Sequence, residues 1–319
     1  MTTIVHARPD RRITTTERSS PLLNVLLWEL RRFCASRLFW LQALGFFCFL
    51  LFLTWAQQAP ERFATIHGTV ALDGFVAGTS AWGLLHTLPL ALVLLVLLLP
   101  FVTADGVTRD LSRRTHELLM TTVLPTWAYV WGRYLIGLLL SLGLALLLLA
   151  AILGMGGLLH LTVTDYPAPE IGNLLLLWVG MVLPATVLVS SLSFALGTLL
   201  PRLTNLVKIV ILVGWFVGVE ILSVLFSDAS HAVNFSLPAW YVNWDPTSAI
   251  TALGMLPKYS LDLRGVTSTA QLQQIFLTVE NKVPDISGWF ASHLLLAGVS
   301  LVLVLVAALA FKRSRDTLS

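Results

Sequence analysis

The sequence predicts an all-α integral membrane protein of six transmembrane helices, preceded by a short interfacial helix. Three observations carry that reading. Hydrophobic residues make up 56% of the chain and charged residues 12%, against roughly 45–50% and 25% in soluble domains. Six apolar stretches are each long enough to cross ~30 Å of hydrocarbon, which takes about 20 residues. Lysine and arginine fall very unequally between the loops on the two sides that those stretches define.

The composition excludes an ordinary soluble domain, because too few polar residues remain to cover so much apolar surface. The net charge of +3 and pI of about 9.1 do not point to nucleic acid. The basic residues stand beside apolar runs instead of alternating with aromatics, so they read as topology signals. The first twenty residues form a polar tail with Arg8, Arg11, Arg12 and Arg18 and no apolar run of their own. The first long apolar run has no small-residue cleavage site after it and is expected to be a retained anchor. Two cysteines, Cys34 and Cys48, fall before and within that run, where a structural disulfide is not expected.

Pro21–Arg37 reads PLLNVLLWELRRFCASR. Leucines and Phe33 recur at helical spacing, with Asn24, Glu29, Arg31, Arg32 and Arg37 on the rest of the wheel. Arg31, Arg32 and Arg37 would be costly inside a continuous membrane helix. The segment is therefore expected to form a separate helix lying in the membrane interface, with Trp28, Arg31 and Arg32 as its anchoring residues.

The spans follow at Leu38–Ala56, Trp82–Val102, Ala128–Leu159, Ile171–Leu200, Leu206–Phe226 and Gly288–Phe311. The third and fourth are long enough to tilt or to project from the bilayer. Pro89, Pro100 and Pro184 predict kinks. Trp40, Trp55, Trp82, Trp127, Trp178 and Trp289 lie near the expected ends, as an interfacial belt requires. With both termini in the cytoplasm, sixteen of the 20 lysines and arginines fall inside. Only Arg62, Lys258, Arg264 and Lys282 fall outside, in agreement with the positive-inside rule.

The second inner loop, Ala104–Leu135, carries an amphipathic stretch. Val107, Leu111, Leu118, Leu119 and Val123 repeat at helical spacing around Arg109, Asp110, Arg113, Arg114 and Glu117. Pro125 stops that helix, and Thr126 is expected to cap the next. The outer loop Ser227–Ser287 includes Pro238–Tyr259, apolar in part but too short to cross. Both a re-entrant helical hairpin and an ordinary folded loop fit it.

There is no P-loop pattern, no HExxH and no CxxC, and the seven histidines are scattered. No enzyme, cofactor or metal site is expected. Glu220 is the one acidic residue well inside a span. An intramembrane ionisable group of this kind faces a protein interior or a watery cavity, which makes Glu220 a candidate for the substrate pathway, with a structural hydrogen bond or a snorkelling position as the alternative. Ser190, Ser191 and Ser193 are expected to pack helices.

The inner loop resembles the cytoplasmic signature of ABC type-2 permeases, the membrane subunits of a class of ATP-driven exporters. That signature has an acidic residue, Gly-Thr-x-Glu, two aliphatics, a proline, an aromatic, and Gly-Lys or Gly-Arg entering the third span. Asp110, Thr115, Glu117, Leu118, Leu119, Pro125, Trp127, Gly132 and Arg133 correspond to it. Arg114 stands where the family often has glycine, and Ser112 where a second acidic residue is common. The interfacial helix, six spans, the link after Ser190–Asn205 and the Asp245–Ala249 run extend the resemblance over nearly the whole chain.

The resemblance implies a permease subunit in the plasma membrane, paired with a second permease, identical or a sister chain. Two cytosolic ABC ATPase subunits would supply ATP hydrolysis, and no nucleic acid is involved. It makes the Asp110–Glu117 coupling helix and the interfacial Pro21–Arg37 helix the elements that dock on the ATPase, with Arg109, Asp110, Arg113, Arg114, Thr115 and Glu117 as the coupling residues. Two other readings compete: a non-transporting anchor or accessory subunit within a larger membrane complex, and a secondary transporter. One acidic intramembrane residue and no internal repeat speak against the last.

Overall fold

The computed structural model describes residues 20–58, 77–107, 125–164, 166–218, 239–259, 268–280 and 282–316. Every regular element among them is helical. In chain order these are α1 (Pro21–Cys34), α2 (Arg37–Gln58), α3 (Ala81–Thr103) and α4 (Thr126–Thr162). They continue with α5 (Ile171–Leu199), α6 (Thr204–Phe216), α7 (Ala239–Asn243), α8 (Ala249–Met255), α9 (Thr269–Glu280) and α10 (Trp289–Asp316). Among the described residues five helices, α2, α3, α4, α5 and α10, are long and apolar enough to cross a membrane. The predicted fifth span, Leu206–Phe226, is represented by the 13 residues of α6. Its remainder from residue 219, with Glu220, lies outside the described residues.

α1 and α2 are separate helices, with Arg31 and Arg32 in the last turn of α1 and Arg37 opening α2. Ser20 caps α1, its Oγ accepting from Leu23 N–H, and Pro21 fills the first helical position, where a missing N–H costs nothing. Ser36 repeats the device for α2 by accepting from Phe39 N–H. Trp40 Nε1 donates to the Cys34 carbonyl and so satisfies the end of α1. Both cysteines are free and exposed.

The spans run alternately up and down. At one end, here the α1 end, Gly132 meets Val25, Gly106 meets Phe194 and Gly197 abuts the Ala104 carbonyl oxygen. At the other, the hairpin end, Gly78 N–H donates to Tyr166 Oη and Glu170 N–H to Thr79 Oγ1. α6 starts at the α1 end, where Lys208 reaches Asp105. By Gly218 the chain has come up against Thr247, 2.7 Å from where a glycine Cβ would stand. α3 and α5 form the centre, burying Leu84, Leu88, Leu92, Leu95, Leu99, Met181 and Val182. α2 turns Leu38, Leu41, Leu44 and Phe52 outward, and α10 turns out Leu294, Leu295, Val302 and Leu309. In a membrane-spanning chain such exposed apolar faces meet lipid or another membrane helix.

α4 has 37 residues, about 55 Å at 1.5 Å per residue, longer than a bilayer core of ~30 Å unless it tilts or projects. Its start corrects one expectation. Thr126 is the first helical residue and not the cap; Pro125 stands at the cap position, its carbonyl accepting from Ala128 and Tyr129 N–H. The bend predicted at Pro184 takes the form of a π turn over Trp178–Val182. Leu183 N–H reaches back five residues to the Trp178 carbonyl, which widens the helix just before the proline removes a donor.

Two of the expected belt tryptophans are interior instead. Trp178 is buried and donates from Nε1 to the Ala145 carbonyl of α4, while Trp289 is buried and donates to the Asp285 carbonyl. A tryptophan whose N–H finds a protein acceptor has no need of the interface. Trp40, Trp55 and Trp127 are exposed, as a belt requires.

Pro238–Tyr259 contains two short helices. α8 is buried, and Ala249, Ala252, Met255 and Tyr259 join the main apolar core beside α3. The two helices form a short hairpin, and Asp245 lies in the turn between them. Its carboxylate accepts from the N–H groups of Thr247, Ile250 and Thr251 and from Thr247 Oγ1. These donors offset the cost of burying the charge and leave Ser248 with φ +63°.

Candidate functional site at the α1 end

The site begins with a glycine. Gly132 lies in the first turns of α4, where a Cβ would meet Val25 Cγ1 at 2.6 Å. The missing side chain lets α1 lie directly on α4. Glu29 is one turn after Val25 on α1, on the same face, and Arg133 follows Gly132. The close approach therefore brings a carboxylate and a guanidinium together.

Arg133 Nη1 is 2.7 Å from Glu29 Oε1, and both side chains are 1% exposed. Arg32 Nη1 lies 3.1 Å from the same carboxylate. The Arg133 guanidinium also sits 5.2 Å from the ring centroids of Trp28 and Tyr129. Each charge thus has more than one neighbour that opposes it, which offsets part of the cost of burying the pair. The two cation–π contacts add about 0.5–2 kcal/mol each.

A second ion pair stands nearby. Lys208 Nζ, at the start of α6, is 2.7 Å from Asp105 Oδ2 and 5.2 Å from the centre of the Phe101 ring. Asp105 just precedes residues 108–124, and Arg133 comes shortly after them. The connection between α3 and α4 is consequently flanked by an anchor to α6 on one side and an anchor to α1 on the other. Ser190, Ser191 and Ser193 are buried in α5, with Ser191 Oγ 2.8 Å from Tyr134 Oη.

Of the residues expected to serve the interfacial helix, Trp28 and Arg32 join this cluster. Trp28 keeps about half its surface exposed beside Leu23 and Leu27. Arg31 points outward and takes no part. Arg109, Asp110, Arg113, Arg114, Thr115 and Glu117 lie outside the described residues, as does Glu220. Glu29 corrects the helical-wheel reading: a charged residue placed on the polar face is among the most deeply buried of α1. What could have found it is the Gly-Arg pair of the loop signature, which needs an acidic partner once Arg133 is withdrawn from water. Among the described residues no three His, Cys, Asp or Glu side chains converge to hold a metal.

No family model matches the sequence, and no curated protein matches it significantly.

Proposed function

We propose that this chain is the membrane-spanning permease subunit of an ATP-binding-cassette exporter. In this reading it sits in the plasma membrane with both termini cytoplasmic and pairs with a second permease, identical or a sister chain. It moves substrate with energy from ATP hydrolysed by separate cytosolic subunits, and does no chemistry of its own.

The observation that carries the reading is the bracketing of the α3–α4 connection. A segment that receives force from an ATPase needs stiff attachments to the helices it moves. Arg133–Glu29 links one flank to α1, and Asp105–Lys208 links the other to α6. A push on the connection is delivered through α4 to α1 and through α3 to α6. Arg109, Arg113 and Arg114 supply charge-assisted contacts to the ATPase, with Asp110, Thr115 and Glu117 completing the docking helix. Glu220 lines the substrate path.

Reversing Arg113 and Arg114 to glutamate tests the assignment. The variant is expected to insert normally in the membrane and to lose its co-purifying ATPase. An ATPase retained at the wild-type level overturns the docking assignment.

A further inference from the structure

His293 lies in the first turns of α10 and is 3% exposed. Its two ring nitrogens each meet a main-chain carbonyl oxygen from a different part of the chain. Nε2 is 2.7 Å from the Asp245 oxygen in the turn of the hairpin, and Nδ1 is 3.3 Å from the Gly180 oxygen in the π turn of α5. A carbonyl oxygen only accepts. A neutral imidazole has one N–H and one lone pair, so only the imidazolium donates to both partners.

The surroundings are built for this ring. In regular α-helical geometry the Gly180 carbonyl would be bonded by residue 184, and Pro184 has no N–H to give. A Cβ on Gly180 would strike the Trp289 ring at 2.7 Å, so glycine there lets α10 close on the π turn. The Trp289 ring also flanks His293, with centroids 5.2 Å apart. Charge is balanced locally. Ile171–Leu199, Ala239–Asn243, Ala249–Met255 and the rest of Trp289–Phe311 contain no Asp, Glu, Lys, Arg or further His. Lys258 and Asp285 pair with each other at the surface. Among the described residues the one charged group facing the ring is the Asp245 carboxylate, held by the donors of α8.

We propose that His293 is a proton-operated latch joining α10, the π turn of α5 and the Asp245 hairpin. With the ring doubly protonated, both carbonyls are bonded and the hairpin is fastened to two spans. When pH rises and one proton leaves, one nitrogen presents a lone pair to a carbonyl oxygen. That contact turns repulsive, and the ring no longer joins the hairpin to the π turn of α5. The proposal stands on this geometry and does not depend on the transport reading.

The test uses the full chain, with ¹⁵N-labelled histidine, in lipid nanodiscs. Long-range ¹H–¹⁵N spectra follow the ring between about pH 5 and pH 8, with His293→Gln to assign the signal. The same samples are read by hydrogen exchange of Ala249–Met255, referred to α3 to remove the intrinsic pH dependence. The expected result is a doubly protonated His293 that loses one proton in this range, with exchange of the hairpin rising about tenfold over the same step. His293→Phe is expected to exchange at the fast rate at every pH. A single neutral tautomer throughout overturns the latch, as does a titration that leaves hairpin exchange unchanged. If His293→Phe does not fold, the titration of the unaltered chain decides alone.

Discussion

Glu29 Oε1 and Arg133 Nη1 lie 2.7 Å apart with both side chains withdrawn from solvent, fastening α1 to the first turns of α4. The contact joins the helix before the first span to the helix that follows the α3–α4 connection. A buried pair of this kind is weak evidence for stability in itself, because well-packed apolar residues could replace it at little net cost. Its consequence is positional: it holds α1 to α4 in one register.

Removing one partner should be far worse than removing both. Glu29→Ala alone leaves Arg133 buried without its carboxylate and is expected to cost about 3–5 kcal/mol. The double replacement Glu29→Met with Arg133→Leu should recover most of that loss while uncoupling α1 from α4. Unfolding in mixed detergent micelles measures all three proteins. Equal losses in the single and double variants would contradict the assignment.

Gly132 should be intolerant of size for one stated reason. Gly132→Val drives a side chain into Val25 and is expected to cost about 1–3 kcal/mol. Val25→Ala in the same chain should return part of it, since the clash is with the Val25 methyl carbon at 2.6 Å. A melting curve for each variant checks the pair, and absence of any rescue would place the strain elsewhere.

Asp285 should titrate unusually low. The Ser287 hydroxyl and N–H, with Lys258, hold its carboxyl down to about 2 from an ordinary 3.8. A depressed carboxylate contributes its stabilisation fully above the ordinary value and loses it as pH falls through the lowered one. The turn before α10 should therefore keep these bonds until the pH drops from about 3.8 towards about 2. Carboxyl ¹³C shifts follow the step, and Ser287→Ala should move the midpoint upward.

Much of the architecture was legible because it is written locally. Continuous apolar runs mark α2, α3, α4, α5 and α10, and the arginines at 31, 32 and 37 separate α1 from α2 because a charge in hydrocarbon is expensive. What was hidden depends on partners far along the chain. Glu29 reads as a polar-face residue on a helical wheel, and its burial is made tolerable by Arg133 and Arg32. Trp178 reads as an interfacial anchor until Ala145 offers its carbonyl. Pro184 predicts a bend, but whether the helix kinks or inserts a π turn is settled by packing against Trp289. The ring of His293 gave no sequence signal, since its two acceptors are main-chain oxygens.

On the proposed function, this chain works with a separate ATP-hydrolysing subunit. The most direct measurement is ATP hydrolysis by the tagged full chain purified in mild detergent from its own host. ATPase activity is expected to co-elute with the chain, together with a P-loop protein, and to disappear in the Arg113→Glu, Arg114→Glu variant. A preparation of intact chain with neither a P-loop partner nor ATP hydrolysis would contradict it.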